Sequence, residues 1–133
     1  MKPNQFIIEE TSLYDFNSTV EKLVAEAERR QWKVPFIHDM QQSLANSGKT
    51  VIPVKVIEIC KPEYAGKMLE LNNERIISVM MPCRISVYEK EDGKTYIALI
   101  NAGNMASGMP EKLAGVMQSA GDEMTEIVKT VTN

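Results

Sequence analysis

An α+β fold, a mixed and largely antiparallel sheet with helices packed on one side, is predicted by three observations. Segments with helical and strand periodicity alternate through the first half of the chain. An Asp-Gly hairpin follows, and a long apolar seam closes the sequence. A hairpin inside an otherwise alternating order requires antiparallel pairing, which leaves the helices on one side of the sheet.

Phe6 to Glu10 predicts a short strand, and Ser12 with Asp15 forms a capping box for the first helix. Leu13, Phe16, Val20, Leu23, Val24 and Ala27 recur at three- and four-residue intervals, with Glu21, Lys22, Glu26 and Arg29 between them. That spacing predicts an amphipathic helix over about 13 to 30. Trp32 to Ile37 is rich in strand formers, but Pro35 lacks the N–H that a central strand needs, so an edge strand is expected. Asp39 caps a short helix through Met40, Leu44 and Ala45, with Gln42 completing the box and Gly48 as its stop.

Val54 to Cys60 predicts the next strand, and Pro62 opens a third helix carrying Tyr64, Ala65, Met68 and Leu69 on one face. Asn72-Asn73 ends it, and Arg75 to Met81 fits a strand or a loop. Cys83, Ile85 and Val87 alternate with Arg84, Ser86 and Tyr88. Asp92-Gly93 turns this strand into its partner, Thr95 to Ile100. Asn101 to Asn104 ends the partner, and Pro110 opens the last helix. Leu113, Met117, Ala120, Met124, Ile127 and Val131 are spaced 4, 3, 4, 3 and 4 residues apart. This seam favours one helix of about 22 residues, roughly 33 Å long, despite Gly115, Gly121 and a possible restart at Ser119. The expected order is β-α-β-α-β-α-β-β-α.

The chain has 133 residues, 44% hydrophobic and 25% charged, which suits one domain over residues 1–133 with a core that needs no staples. A net charge of −3 and scattered lysines and arginines leave no basic stripe, so a nucleic-acid partner is not expected. The longest apolar runs, such as Ile76 to Met81, fall short of the ~20 residues of a membrane span, so no membrane partner is expected either. Pro3-Asn4-Gln5 has no signal-peptide character. With two cysteines and no export signal, a reducing, cytoplasmic setting with free thiols is expected.

Val56-Ile57-Glu58-Ile59-Cys60-Lys61-Pro62 and Met81-Pro82-Cys83-Arg84-Ile85-Ser86-Val87-Tyr88-Glu89 carry a family resemblance. A strand ending in Cys-x-Pro, Ala65 soon after, and Pro-Cys-Arg at the head of a hairpin resemble domain-of-unknown-function family 302. The first helix, Asp39, the Asp-Gly hairpin and the closing helix also fit, so the resemblance spans about residues 5 to 131. It implies an α+β domain of bacteria and archaea, found alone or beside other modules, with no established activity. Asn101 stands where the resemblance leads one to expect an acidic residue in many relatives.

Four residues are candidates for chemistry. Cys60 ends a strand just before Pro62, where a helix start would favour its thiolate. The plainer reading is an apolar cysteine in a tight junction. Cys83 shares a face with Ile85 and Val87, which favours packing. Whether the two thiols meet depends on whether the third helix makes a parallel crossover, and both arrangements stay open. His38, the single histidine, stands beside Asp39, a pair suited to acid–base or metal work. Alternation groups it with Trp32, Val34 and Phe36, while Asp39 is explained as a cap.

With one histidine and no Cys-x-x-Cys, His38, Cys60 and Cys83 do not make a zinc signature, and no metal is expected. The zinc-deaminase spacing is missing as well. Nine methionines are better explained as flexible core filling than as copper ligands. No phosphate loop, nucleophile elbow or paired-carboxylate arrangement occurs, so no cofactor is expected.

The sequence thus supports a non-catalytic binding or interaction module with an unidentified small-molecule ligand. It is expected to assemble as a homodimer if the last seam packs on a second copy rather than on the sheet. The alternative is a thiol-dependent role in redox or sulfur handling through Cys60.

Overall fold

Antiparallel ladders join all five strands of the sheet in the order β1-β5-β4-β3-β2. The structure is a computed structural model that describes residues 6–132, so the polar Pro3-Asn4-Gln5 lies outside the described residues. The strands are β1 (Ile7–Thr11), β2 (Lys33–Asp39), β3 (Val54–Cys60), β4 (Cys83–Glu89) and β5 (Thr95–Ile100). The helices are α1 (Phe16–Arg29), α2 (Met40–Asn46), α3 (Pro62–Leu69), α4 (Ala102–Ala106) and α5 (Glu111–Lys129). The fold is α+β, as the alternating segments and the hairpin require.

Alternation on β3, β4 and β5 puts Ile57, Ile59, Ile85, Val87, Ile97 and Leu99 on one face, where all are buried. The apolar stripes of α1 (Phe16, Val20, Leu23, Ala27) and α5 (Ala120, Met124, Ile127) pack on them in one cluster. Each fully buried Ile or Leu contributes roughly 1.5–3 kcal/mol relative to exposure, so this layer is the main source of stability. The seam from Ala120 onward is therefore filled by the chain's own sheet, and Val131, just past α5, is fully buried. The opposite face carries Phe36, His38, Glu58, Arg84, Ser86 and Ala98, none of them buried. A second apolar cluster joins Met68 of α3 to Ile77, Ala106, Leu113 and Met117.

Several boundaries differ from expectation. α1 starts at Phe16 because Asp15, not Ser12, is its cap: the Asp15 carboxylate accepts the Ser18 N–H at 2.8 Å. Ser12 instead pairs with the hydroxyl of buried Thr19 at 2.6 Å, and Leu13 is left outside the helix and exposed. Asp39 does cap α2 through the Gln42 N–H at 3.0 Å, but the Gln42 side chain turns to Asn46 rather than closing the box. Arg75–Met80 is neither strand nor loop but a 3-10 helix. Asn101 ends β5 by capping α4, a short helix that lacked an apolar period long enough to announce it. α5 has 19 residues and runs straight through Ser119, whose hydroxyl bonds back to the Gly115 carbonyl at 3.1 Å.

β2 is an edge strand, as Pro35 requires. A register shift between Lys33 and Phe36 interrupts its alternation. Trp32 is buried in the core, whereas Phe36 is exposed and lies edge-on to the His38 ring at 4.6 Å. The expected grouping of His38 with Trp32 and Val34 is therefore broken at the bulge.

Candidate functional site

Because β3 and β4 are antiparallel neighbours, the end of one lies beside the start of the other, and Ile59 sits directly opposite Cys83. α3 and the 3-10 helix form the return between these two strands rather than a parallel crossover. Cys60 and Cys83, both half-buried and free, line a single narrow cavity of about 20 Å³. That is room for about one water molecule. Burial first, and then the neighbouring Cys60, push the Cys83 thiol above its ordinary range. A thiol so placed is a poor nucleophile at neutral pH.

Beside this cavity lies a polar knot that no sequence motif marks. Glu123 of α5 accepts from the Trp32 indole at 2.8 Å, from Lys61 at 2.6 Å and from the Tyr64 hydroxyl at 2.7 Å. Burial alone would raise the Glu123 carboxyl, but the three donors outweigh it and hold the group below its usual value. The hydrogen bond to Glu123, followed by burial, pushes Tyr64 up to about 12. Every oxygen of Glu123 is engaged, so the knot ties α5 to α3 and to the entrance of β2. Its members lie 59 to 91 residues from Glu123 in sequence, which is why spacing could not reveal them.

His38 does not join the thiols. It bonds Glu58 across the β2–β3 ladder at 2.8 Å, on the face of the sheet opposite the core. Asp39 is committed to α2 as its cap. Among the described residues, no three His, Cys, Asp or Glu side chains gather as metal ligands would.

A second, more apolar concavity lies at the end of the sheet, between the 3-10 helix and α5. It is an apolar pocket of about 250 Å³ whose walls include Met68, Met80, Met81, Met117 and Met124. Methionine is unbranched and polarisable, so such walls adapt to the shape of what enters. Cys83 belongs to this pocket as well as to the narrow cavity, and Arg84 is the one charged residue among its thirteen lining residues. The neighbouring 3-10 helix leaves Ile76 and Val79 each 82% exposed. Several of the methionines lie in one apolar cluster, but they fill it incompletely, which composition alone did not suggest.

An antiparallel five-stranded sheet with α1 and α5 on one face, and two cysteines meeting at the β3–β4 junction, defines a small α+β domain. The family model described as "Domain of unknown function DUF302" matches residues 8–131, and the chain belongs to that family. The chain is 31% identical over 80 residues to an uncharacterized protein of Aquifex aeolicus (strain VF5), a match covering 57% of this chain and 54% of that protein. The chain thus spans about half the length of that curated relative. Its fold is similar to the crystal structure of an uncharacterized conserved DUF302 protein from Bacillus stearothermophilus. The TM-score is 0.84 at 19% identity, covering 96% of this chain and 98% of that one. At that identity the likeness concerns the fold.

No helix among the described residues is long and apolar enough to cross a membrane.

Proposed function

We propose that this domain is a non-catalytic binding module whose site is the methionine-walled pocket between the 3-10 helix and α5. The observation that carries this reading is an apolar pocket of about 250 Å³ left open beside a core in which the stripes of α1 and α5 are packed on the sheet. An apolar cavity of about 150 Å³ accommodates a benzene-sized guest, so this one suits a ligand of about ten carbon atoms. No nucleophile is set beside a base there: Cys83 is the sole thiol in the wall, and burial disfavours its thiolate. An environment-sensitive apolar dye should bind saturably at one site and be displaced by 1-decanol. A dye signal that never saturates, or that decanol leaves unchanged, overturns the reading.

Self-association into a homodimer belongs to the same proposal, on the open face of the sheet. The α5 seam is spent inside the chain. The two edges are poor templates, because β2 carries Pro35 and a bulge while β1 sets Glu9 beside Glu10. Sedimentation should show a dimer, and a strict monomer overturns this part.

The thiol-dependent alternative rests on the convergence of Cys60 and Cys83 on one cavity. It requires Cys60 to react with iodoacetamide in the native protein much faster than a free thiol does. Labelling that appears only after unfolding excludes it.

A further inference from the structure

Of the chain's four arginines, Arg84 is the one that lines the methionine-walled pocket. Arg29 and Arg30 both pair with Glu26, at 2.6 and 2.7 Å. Arg84, like Arg75, is exposed and makes no ion pair among the described residues. Its register neighbour on β3 is Glu58, directly opposite, but the Glu58 carboxylate is engaged by His38 at 2.8 Å. On the β5 side the pairing begins one residue on, at Ile85 opposite Leu99, and Arg84 and Ile100 both line the methionine-walled pocket. The remaining lining residues are uncharged, so the pocket combines an apolar interior with a single cationic group.

We propose that the ligand is an apolar-tailed carboxylate, with its chain among the methionines and its carboxylate on the Arg84 guanidinium. This deepens the binding reading above and rests on it. A guanidinium presents paired donors that match a carboxylate, and it stays charged at any physiological pH. At the edge of an apolar pocket, it orients a guest that apolar walls alone would accept in either direction. A neutral alcohol of the same length makes the apolar contacts and lacks the ionic one. A cation of the same length meets like charge.

The test is calorimetric titration of the protein with decanoate, 1-decanol and decylammonium, repeated on Arg84→Gln and Arg84→Lys. Decanoate should bind about tenfold or more tighter than decanol, the worth of one charge-assisted pair. Decylammonium should bind more weakly than decanol. Arg84→Gln should bring decanoate to the level of decanol while decanol itself is unchanged, and Arg84→Lys should retain part of the preference. Far-ultraviolet circular dichroism of both variants should match the parent, since residue 84 is exposed. Equal binding of decanoate and decanol, or an Arg84→Gln variant that keeps the full preference, overturns the carboxylate assignment and leaves the pocket standing. Failure of all three ligands to bind overturns the pocket and the assignment together.

Discussion

The Trp32 indole donates to the Glu123 carboxylate at 2.8 Å across 91 residues of sequence. With Lys61 and Tyr64 on the same carboxylate, this contact fixes α5 against the start of β2 and the β3–α3 junction. Lys61 and Glu123 side chains are only 17% and 18% exposed, so their pairing is not a surface ion pair. Removing one partner leaves half-buried groups unsatisfied, at a cost of about 1–3 kcal/mol each. Glu123→Ala should lower stability in urea by about 2–4 kcal/mol, and Glu123→Gln, which keeps some acceptors, by less.

The same carboxylate sets an acid limit. Its folded-state pKa lies below the unfolded value, which is near 4.3 for a free Glu. A depressed carboxyl contributes stability that is fully present above the unfolded value and is lost as pH falls through the folded one. Urea midpoints measured from about pH 6 to pH 3 should fall more steeply in the parent than in Glu123→Gln. Parallel slopes would show that the knot does not titrate as described.

Two glycines of α5 should respond in opposite directions. A Cβ on Gly121 would stand 2.5 Å from the Ala102 Cβ, so α4 must move to admit it. Nothing lies within 4 Å of a Cβ on Gly115. Replacing a helical Gly with Ala gains ~1 kcal/mol where space allows, so Gly115→Ala should stabilise by about that amount. Gly121→Ala should destabilise by about 1–3 kcal/mol, because overpacking outweighs the propensity gain. Thermal melts of the two variants check both signs.

Cys83 should label slowly with iodoacetamide at neutral pH, since burial and then Cys60 disfavour its thiolate. Because Cys83 also lines the methionine-walled pocket, decanol should slow its labelling further while leaving Cys60 less affected. Mass spectrometry of each cysteine peptide over time measures both rates.

The strand alternation on β4, the Asp92-Gly93 turn and the α5 seam are local patterns, and each marks an element that the structure contains. What sequence could not supply was whatever depends on distant partners. Pro35 marked β2 as an edge, but the bulge that separates Trp32 from Phe36 follows from pairing with β3. Gly121 reads as a propensity defect until α4 is seen against it. Cys60 and Cys83 were legible as candidates, but their convergence needed the antiparallel β3–β4 ladder. Glu123 stands in no motif, and Arg84 enters the sequence reading only as the last residue of Pro-Cys-Arg; the significance of both comes from what surrounds them.

The central claim is that the methionine-walled pocket binds a small apolar ligand. Methyl NMR of protein carrying labelled methionine, titrated with decanol, tests it most directly. The Met68, Met80, Met81, Met117 and Met124 signals line the pocket and should shift together and saturate. Met105 and Met109, which sit in the adjoining cluster without lining it, should move little. Shifts spread evenly over all the methionines, or no saturating shift at the five pocket methyls, would contradict the claim.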